Sequence, residues 1–179
     1  MRSSTTALPV GWEQTRAFRL ARLHLSKPLG PRSLRRVVRD IAGVHAQVAS
    51  AGELQCAVRA PGLTPGASER AVGRRALVKT WVMRGTLHLI DADDMAVFGA
   101  AMRTRTHWRR PVWERAFKIS AADVESAIDA IGAALDGERL TRVELADRVY
   151  EELHNDAIDE RLRSGWGELL KIAAAHGRL

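Results

Sequence analysis

One β-rich run interrupted by Arg84-Gly85, a series of short helical patterns before it, and a second helical series after residue 119 predict the fold class. The chain reads as mainly α with a small β component, arranged as tandem winged helix-turn-helix units. The decisive stretch is Leu77–Asp91. Two apolar runs, Leu77–Met83 and Thr86–Ile90, are rich in β-branched and aromatic side chains, and Gly85 supplies the positive φ that a tight hairpin needs. A hairpin that follows several short helices is the outline of a winged helix, a module that binds DNA.

The first unit, residues 1–107, builds in order. Trp12, Phe18, Ala21 and Leu25 form an apolar stripe on a helix over 12–25, with Arg16, Arg19 and Arg22 on its wetter face. The cluster from Ser26 to Pro31 breaks it. Ser33 then opens a helix containing Leu34, Val37, Val38 and Ile41, and Gly43 weakens its continuation. A further helix covers 49–59, before Pro61-Gly62. Thr64-Pro65 reads as a cap and first-turn proline for a short helix reaching Arg75. After the wing hairpin at 77–90, Asp91 caps a helix over 92–105.

Residues 108–119, with Pro111 inside, read as a linker. The second unit, 120–179, starts with a capping box, Ser120 with Asp123, for a helix whose core stripe is Val124, Ile128, Ile131 and Leu135. Thr141 with Glu144 is a second box, opening a helix that carries Val143, Ala146, Val149, Tyr150 and Leu153. Ser164 is expected to cap a last helix with Trp166, Leu169, Leu170 and Ala173 inward. This unit has no wing, so Leu169, Leu170 and Ile172 are expected to be partly uncovered. Such a patch favours a homodimer or further C-terminal domains as its cover.

Composition excludes several classes. Of 179 residues, 46% are hydrophobic and 27% charged, which is globular rather than disordered. A single cysteine, Cys56, leaves no disulfide framework and no cysteine-based zinc site, and is expected in the core. No signal-peptide pattern and no membrane-length apolar run occurs, so a cytoplasmic location and no membrane partner are expected. No metal-ligand spacing or dinucleotide fingerprint stands out, and no cofactor is expected. Charge is strongly uneven. Residues 1–90 hold 15 Lys and Arg against 4 Asp and Glu, whereas 121–179 hold 7 against 13. A basic first half points to a polyanion, here double-stranded DNA.

Candidate DNA contacts follow from position. Arg35, Arg36 and Arg39 lie a turn apart on one predicted helix and can track phosphates. Arg84 tips the hairpin. Arg103, Arg105, Arg109 and Arg110, interleaved with His107 and Trp108, make the best basic-aromatic cluster. His88 reads as a half-buried strand histidine. Trp81, Trp113 and Trp166 read as core anchors. His45 and Gln47, from the residues alone, are a polar pair at a helix end.

Three segments carry a family resemblance: GVHAQ at 43–47, TWVMRGTLHL at 80–89 and SGWGELLKIAAAHGRL at 164–179. They are similar to the winged-helix proteins that include the AlkZ/YcaQ-type DNA glycosylases. The resemblance runs from about Arg16 onward, and TWVMRGTLHL is its most specific piece. It implies enzymes that hydrolyse the glycosidic bond of bulky or crosslinked N7-alkylguanine, and members longer than this chain, which then corresponds to an N-terminal portion. It also implies a Gln-x-Gln or Gln-x-Asp motif where this chain has His45-Ala46-Gln47. Gln47 matches the second position; His45 departs from the first. The implied catalytic pair is therefore His45 and Gln47, which would place a water at the sugar. A non-enzymatic winged-helix regulator, or an inactive fragment of such a protein, is the alternative reading.

Overall fold

The structure, a computed structural model, describes residues 9–165 and 167–179, so the expected inward packing of Trp166 lies outside the described residues. It is mainly helical with one small three-stranded sheet. The chain divides into two compact units: residues up to Lys79 together with His88–Ala92, and Thr80–Leu87 together with Asp93–Leu179.

In the first unit, α1 (Trp12–Arg22) starts where its pattern predicts but stops short of Leu25, and it buries none of its residues. Trp12 and Phe18, expected on an inward stripe, are both exposed. His24 leaves the helix in a left-handed conformation, φ 55°, and its Nε2 lies 2.7 Å from Asp40 Oδ2. That hydrogen bond, aided by Arg36, holds the Asp40 carboxyl below its ordinary range. Helix α2 (Leu34–Asp40) turns Leu34, Val37 and Val38 inward. Strand β1 (Val44–His45) follows, then α3 (Ala49–Arg59), α4 (Ala67–Gly73), β2 (Leu77–Val82) and β3 (Thr86–Asp91). The sheet order is β1-β3-β2, with β1 antiparallel to β3. Val38, Val44, Cys56, Ala71, Leu77 and Leu89 close the core between helices and sheet. Burial pushes the Cys56 thiol up to about 11, so it is an inert core group.

The opening of α4 corrects an expectation. It starts at Ala67, after Gly66 in the left-handed region, and not at Pro65. Its first amide groups are met by Glu53 of α3: Ala67 N donates to Oε1 at 2.8 Å and Ser68 N to Oε2 at 3.2 Å, with the Ser68 hydroxyl on the same oxygen. A carboxylate from a neighbouring helix therefore does the work assigned to Thr64.

The hairpin matches its prediction. Its turn holds Met83 at φ 58° and Gly85 at φ 86°. Asp91, expected to cap the helix after the hairpin, ends β3 instead, and α5 begins only at Met95. The Asp91 carboxylate is almost wholly buried and receives a two-pronged bond from Arg35, Nε at 2.8 Å and Nη2 at 2.6 Å, and a third contact from Arg39 at 3.3 Å.

The second unit contains α5 (Met95–Arg103), α6 (Pro111–Phe117), α7 (Ala121–Ala134), α8 (Arg142–Leu153), α9 (Asp156–Arg163) and α10 (Glu168–Ala175). Both expected capping boxes form, Ser120 with Asp123 and Thr141 with Glu144. Residues 108–119 do not run as a bare linker. They carry α6, and Trp108 and Ile119 lie in the main core of this unit with Val124, Ile131, Leu145 and Leu162. Trp81 and Trp113 pack, partly buried, against the same core. Helix α9 was not anticipated. Asn155 caps it by accepting from Ala157 N and Ile158 N, and Ile158 and Leu162 turn inward. Ser164 ends α9 rather than opening the last helix, which starts after Gly167.

Leu169, Leu170 and Ile172, expected to be uncovered, are buried, because α10 is packed by α5, α7 and α9. The ground for expecting a homodimer through this face is thereby removed.

The Asp91 pairing sets the first prediction. Arg35→Ala leaves a buried carboxylate with its weaker guanidinium contact and should lower the unfolding free energy by about 2–3 kcal/mol. Arg36→Ala breaks only a surface contact of 3.4 Å to Asp40 and should change it by less than about 0.5 kcal/mol. Urea titrations of the two variants check this; equal losses would contradict it.

Candidate functional site

The segment carrying His45 and Gln47 is only in part a helix end: His45 lies on strand β1, and Gln47 stands just before Val48, the N-cap of α3. Helix α2 is followed by Ala42 and Gly43, both at positive φ, which reverse the chain into β1. Burial along 44–47 alternates: Val44 and Ala46 face the core, His45 and Gln47 face outward. His45 therefore ends the edge strand, and Gln47 follows in the bend that leads from β1 into α3, both with exposed side chains.

Their surroundings come from three elements of the first unit. His45 sits directly across the β1–β3 ladder from His88, with ring centroids 5.2 Å apart and planes at 79°. Gln55 of α3 donates from Nε2 to the His45 carbonyl at 2.9 Å and so ties the strand to the helix. Gly52, one turn earlier, lets α3 approach closely: a Cβ there would stand 3.1 Å from the Ala46 Cβ. Gln55 and Gly52 were not singled out in the sequence. A glutamine bonded to a carbonyl ten residues away leaves no periodic mark, and a glycine within a helix reads only as a weak helix former.

The predicted basic residues fall into two groups. In the first unit, Arg35 and Arg39 are engaged by Asp91, and Arg36 lies against Asp40, so none is a simple row of charge in water. All three keep about half or more of the side chain accessible. In the second unit, Arg84 is exposed on the hairpin turn, and Arg105 braces that turn by donating to the Met83 carbonyl at 3.3 Å. Arg103 reaches the Ala175 carbonyl at 3.5 Å, and Arg109 pairs with Glu125 at 2.9 Å while covering the Trp108 ring at 4.8 Å. Arg110 is exposed at the start of α6.

Among the described residues, no group of three or more His, Cys, Asp or Glu side chains could hold a metal ion, and no helix is long and apolar enough to cross a membrane.

The family model described as "DNA glycosylase AlkZ-like" matches residues 38–179, which includes β1 and the hairpin. The chain belongs to the AlkZ-like DNA glycosylase family. It is similar to the interstrand DNA cross-link repair glycosylase of Streptomyces sahachiroi, 36% identical over 172 residues, covering 96% of this chain and 46% of that protein. The solved structure of the Streptomyces sahachiroi DNA glycosylase AlkZ superposes with a TM-score of 0.88 at 36% identity, over the same shares of the two chains. The chain spans about half the length of the relative it matches.

The close approach at Gly52 is testable. Gly52→Leu should cost about 1–3 kcal/mol through overpacking and shift the amide resonances of residues 44–47. Gly73→Ala, where an added Cβ meets nothing within 4 Å, should leave those resonances in place. Unmoved signals in Gly52→Leu would show that α3 does not hold this segment.

Proposed function

We propose that this chain binds double-stranded DNA and hydrolyses the glycosidic bond of an N7-alkylguanine, with His45 and Gln47 placing the attacking water. One observation carries the reading: in a member of a DNA glycosylase family, two polar side chains one residue apart are both exposed where β1 gives way to α3. An N7-alkylated guanine is cationic before it leaves. When the C1′–N9 bond breaks, its electron pair discharges the ring, so no strong acid is required. The water oxygen bonds to C1′, and its proton passes to solvent. The protein's task is to orient that water and to offer dipoles to a sugar that becomes positive. The Gln47 amide oxygen and an imidazole nitrogen of His45 suit both tasks.

The element order α2, β1, α3, α4, β2, β3 and the sheet order β1-β3-β2 support reading the first unit as a winged helix, with β2–β3 as its wing. The helices α7, α8, α9 and α10 are read as a second such unit. Arg36, Arg84, Arg103, Arg105, Arg109 and Arg110 supply phosphate or groove contacts in this account. Arg35 and Arg39 contribute their outer nitrogens while they hold Asp91.

The second reading is a DNA-binding protein without base release, such as a regulator. The observation that favours it is His45, which stands where the resemblance implies glutamine. Release of N7-methylguanine from duplex DNA separates the two. Gln47→Ala should lower the rate by about 100-fold or more while DNA affinity holds, because the side chain carries no charge. His45→Gln should keep or raise the rate. Equal rates for wild type and Gln47→Ala would exclude this chemistry.

Affinity should also depend on salt. About four to six neutralised phosphates give a slope of log K on log salt of about −4 to −5. Filter binding between low and moderate salt reads it, and a flat response would remove the phosphate contacts from the account.

A further inference from the structure

The second unit holds a half-open cavity of about 370 Å³ that neither His45 nor Gln47 lines. Its inner side is apolar, with buried Trp108 and Ile172. One wall is aromatic: Trp113 and Phe117 of α6, a turn apart, have ring centroids 4.4 Å apart and planes inclined by 33°. The outer side is cationic. Arg84 of the hairpin turn and Arg105 are exposed lining residues, and Lys171 of α10 is half-buried beside them.

Two more lining groups, His107 and His176, bring polar edges. Desolvation, then the neighbouring arginines, holds both imidazoles below their ordinary range. Each is therefore neutral near pH 7, able to donate from one nitrogen and accept at the other. The carboxylate in the lining is Glu168, so the balance of formal charge remains positive.

A purely apolar ligand would leave Arg84 and Lys171 at its rim unmatched, beside an Arg105 that already braces the hairpin turn. A bare phosphate would leave a wall of aromatic rings unused. The geometry points to a nucleotide: a base out of its stack lies against Trp113 and Phe117 with its edge toward the imidazoles, and its phosphate meets Lys171 and Arg84. Two sources share this chemistry, a free mononucleotide and a nucleotide looped out of a DNA strand. The second rests on the DNA-binding reading above; the first does not.

The experiment compares three probes: guanosine monophosphate, a fully paired duplex, and the same duplex with one bulged 2-aminopurine. The bulged duplex should bind about 10-fold more tightly than the paired one, a step within the range of one base–aromatic stack, and its fluorescence should be quenched. Lys171→Gln and Trp113→Leu should each erase that difference and leave paired-duplex affinity within about twofold; Lys171→Gln guards against a folding defect in the tryptophan variant. Saturation-transfer NMR on guanosine monophosphate reads the pocket without duplex. A signal lost in Lys171→Gln supports the site even where duplex binding fails. Equal affinity for bulged and paired duplex, together with no mononucleotide signal, would overturn the proposal.

Discussion

A buried carboxylate holds the first unit together. Asp91 ends β3, and β3 is the middle strand of the sheet, so whatever fixes Asp91 fixes the strands on either side. Arg35 grips it with two parallel hydrogen bonds and Arg39 adds a third from the same face of α2. A carboxylate removed from water is stable only when paired in this way, and the planar guanidinium suits it. With β3 fixed to α2, β1 can pair along its outer edge and present His45 opposite His88. Loss of the Asp91 pairing would therefore be felt at the outward face of β1, although none of the three residues lies on it.

The same interaction changes how the charge of the chain should be read. A basic first half looks, in composition, like a surface waiting for phosphate. In space, Arg35 and Arg39 serve Asp91, and Arg36 and His24 gather around Asp40; beyond that half, Arg105 supports the hairpin turn and Arg109 pairs with Glu125. Such arginines are half-accessible, so they can still meet an anion with their remaining donors, but their positions are set from within. This suits recognition, since a side chain already held in place loses less freedom when a ligand arrives.

Much of the local architecture was legible in the sequence, because local signals have local causes. The alternation around Arg84-Gly85 marked the hairpin, and Ser120 with Asp123 and Thr141 with Glu144 marked two helix starts, since a capping box is complete within four residues. What escaped was non-local or too short to have a period. Strand β1 is two residues long, so nothing periodic separates His45, on the strand, from Gln47 at the start of the next helix. Glu53 caps a helix fourteen residues on, and Asp91 finds Arg35 across fifty-six. Residues 108–119 looked like a linker because Pro111 suggested a break; at the first turn of α6 it is compatible with a helix. Helix α9 is hidden because its large apolar residues are just Ile158 and Leu162 in an acidic setting.

The central claim is that the sugar of the target nucleotide comes to rest where β1 leads into α3, beside His45 and Gln47. The most direct test is NMR of the labelled chain with a duplex that carries a cationic five-membered-ring analogue of the sugar in its transition state. The account predicts that the Gln47 side-chain amide and the His45 ring signals move on binding, and move far less with an unmodified duplex of equal length. Saturating binding of the analogue duplex with both sets of signals unchanged would contradict it.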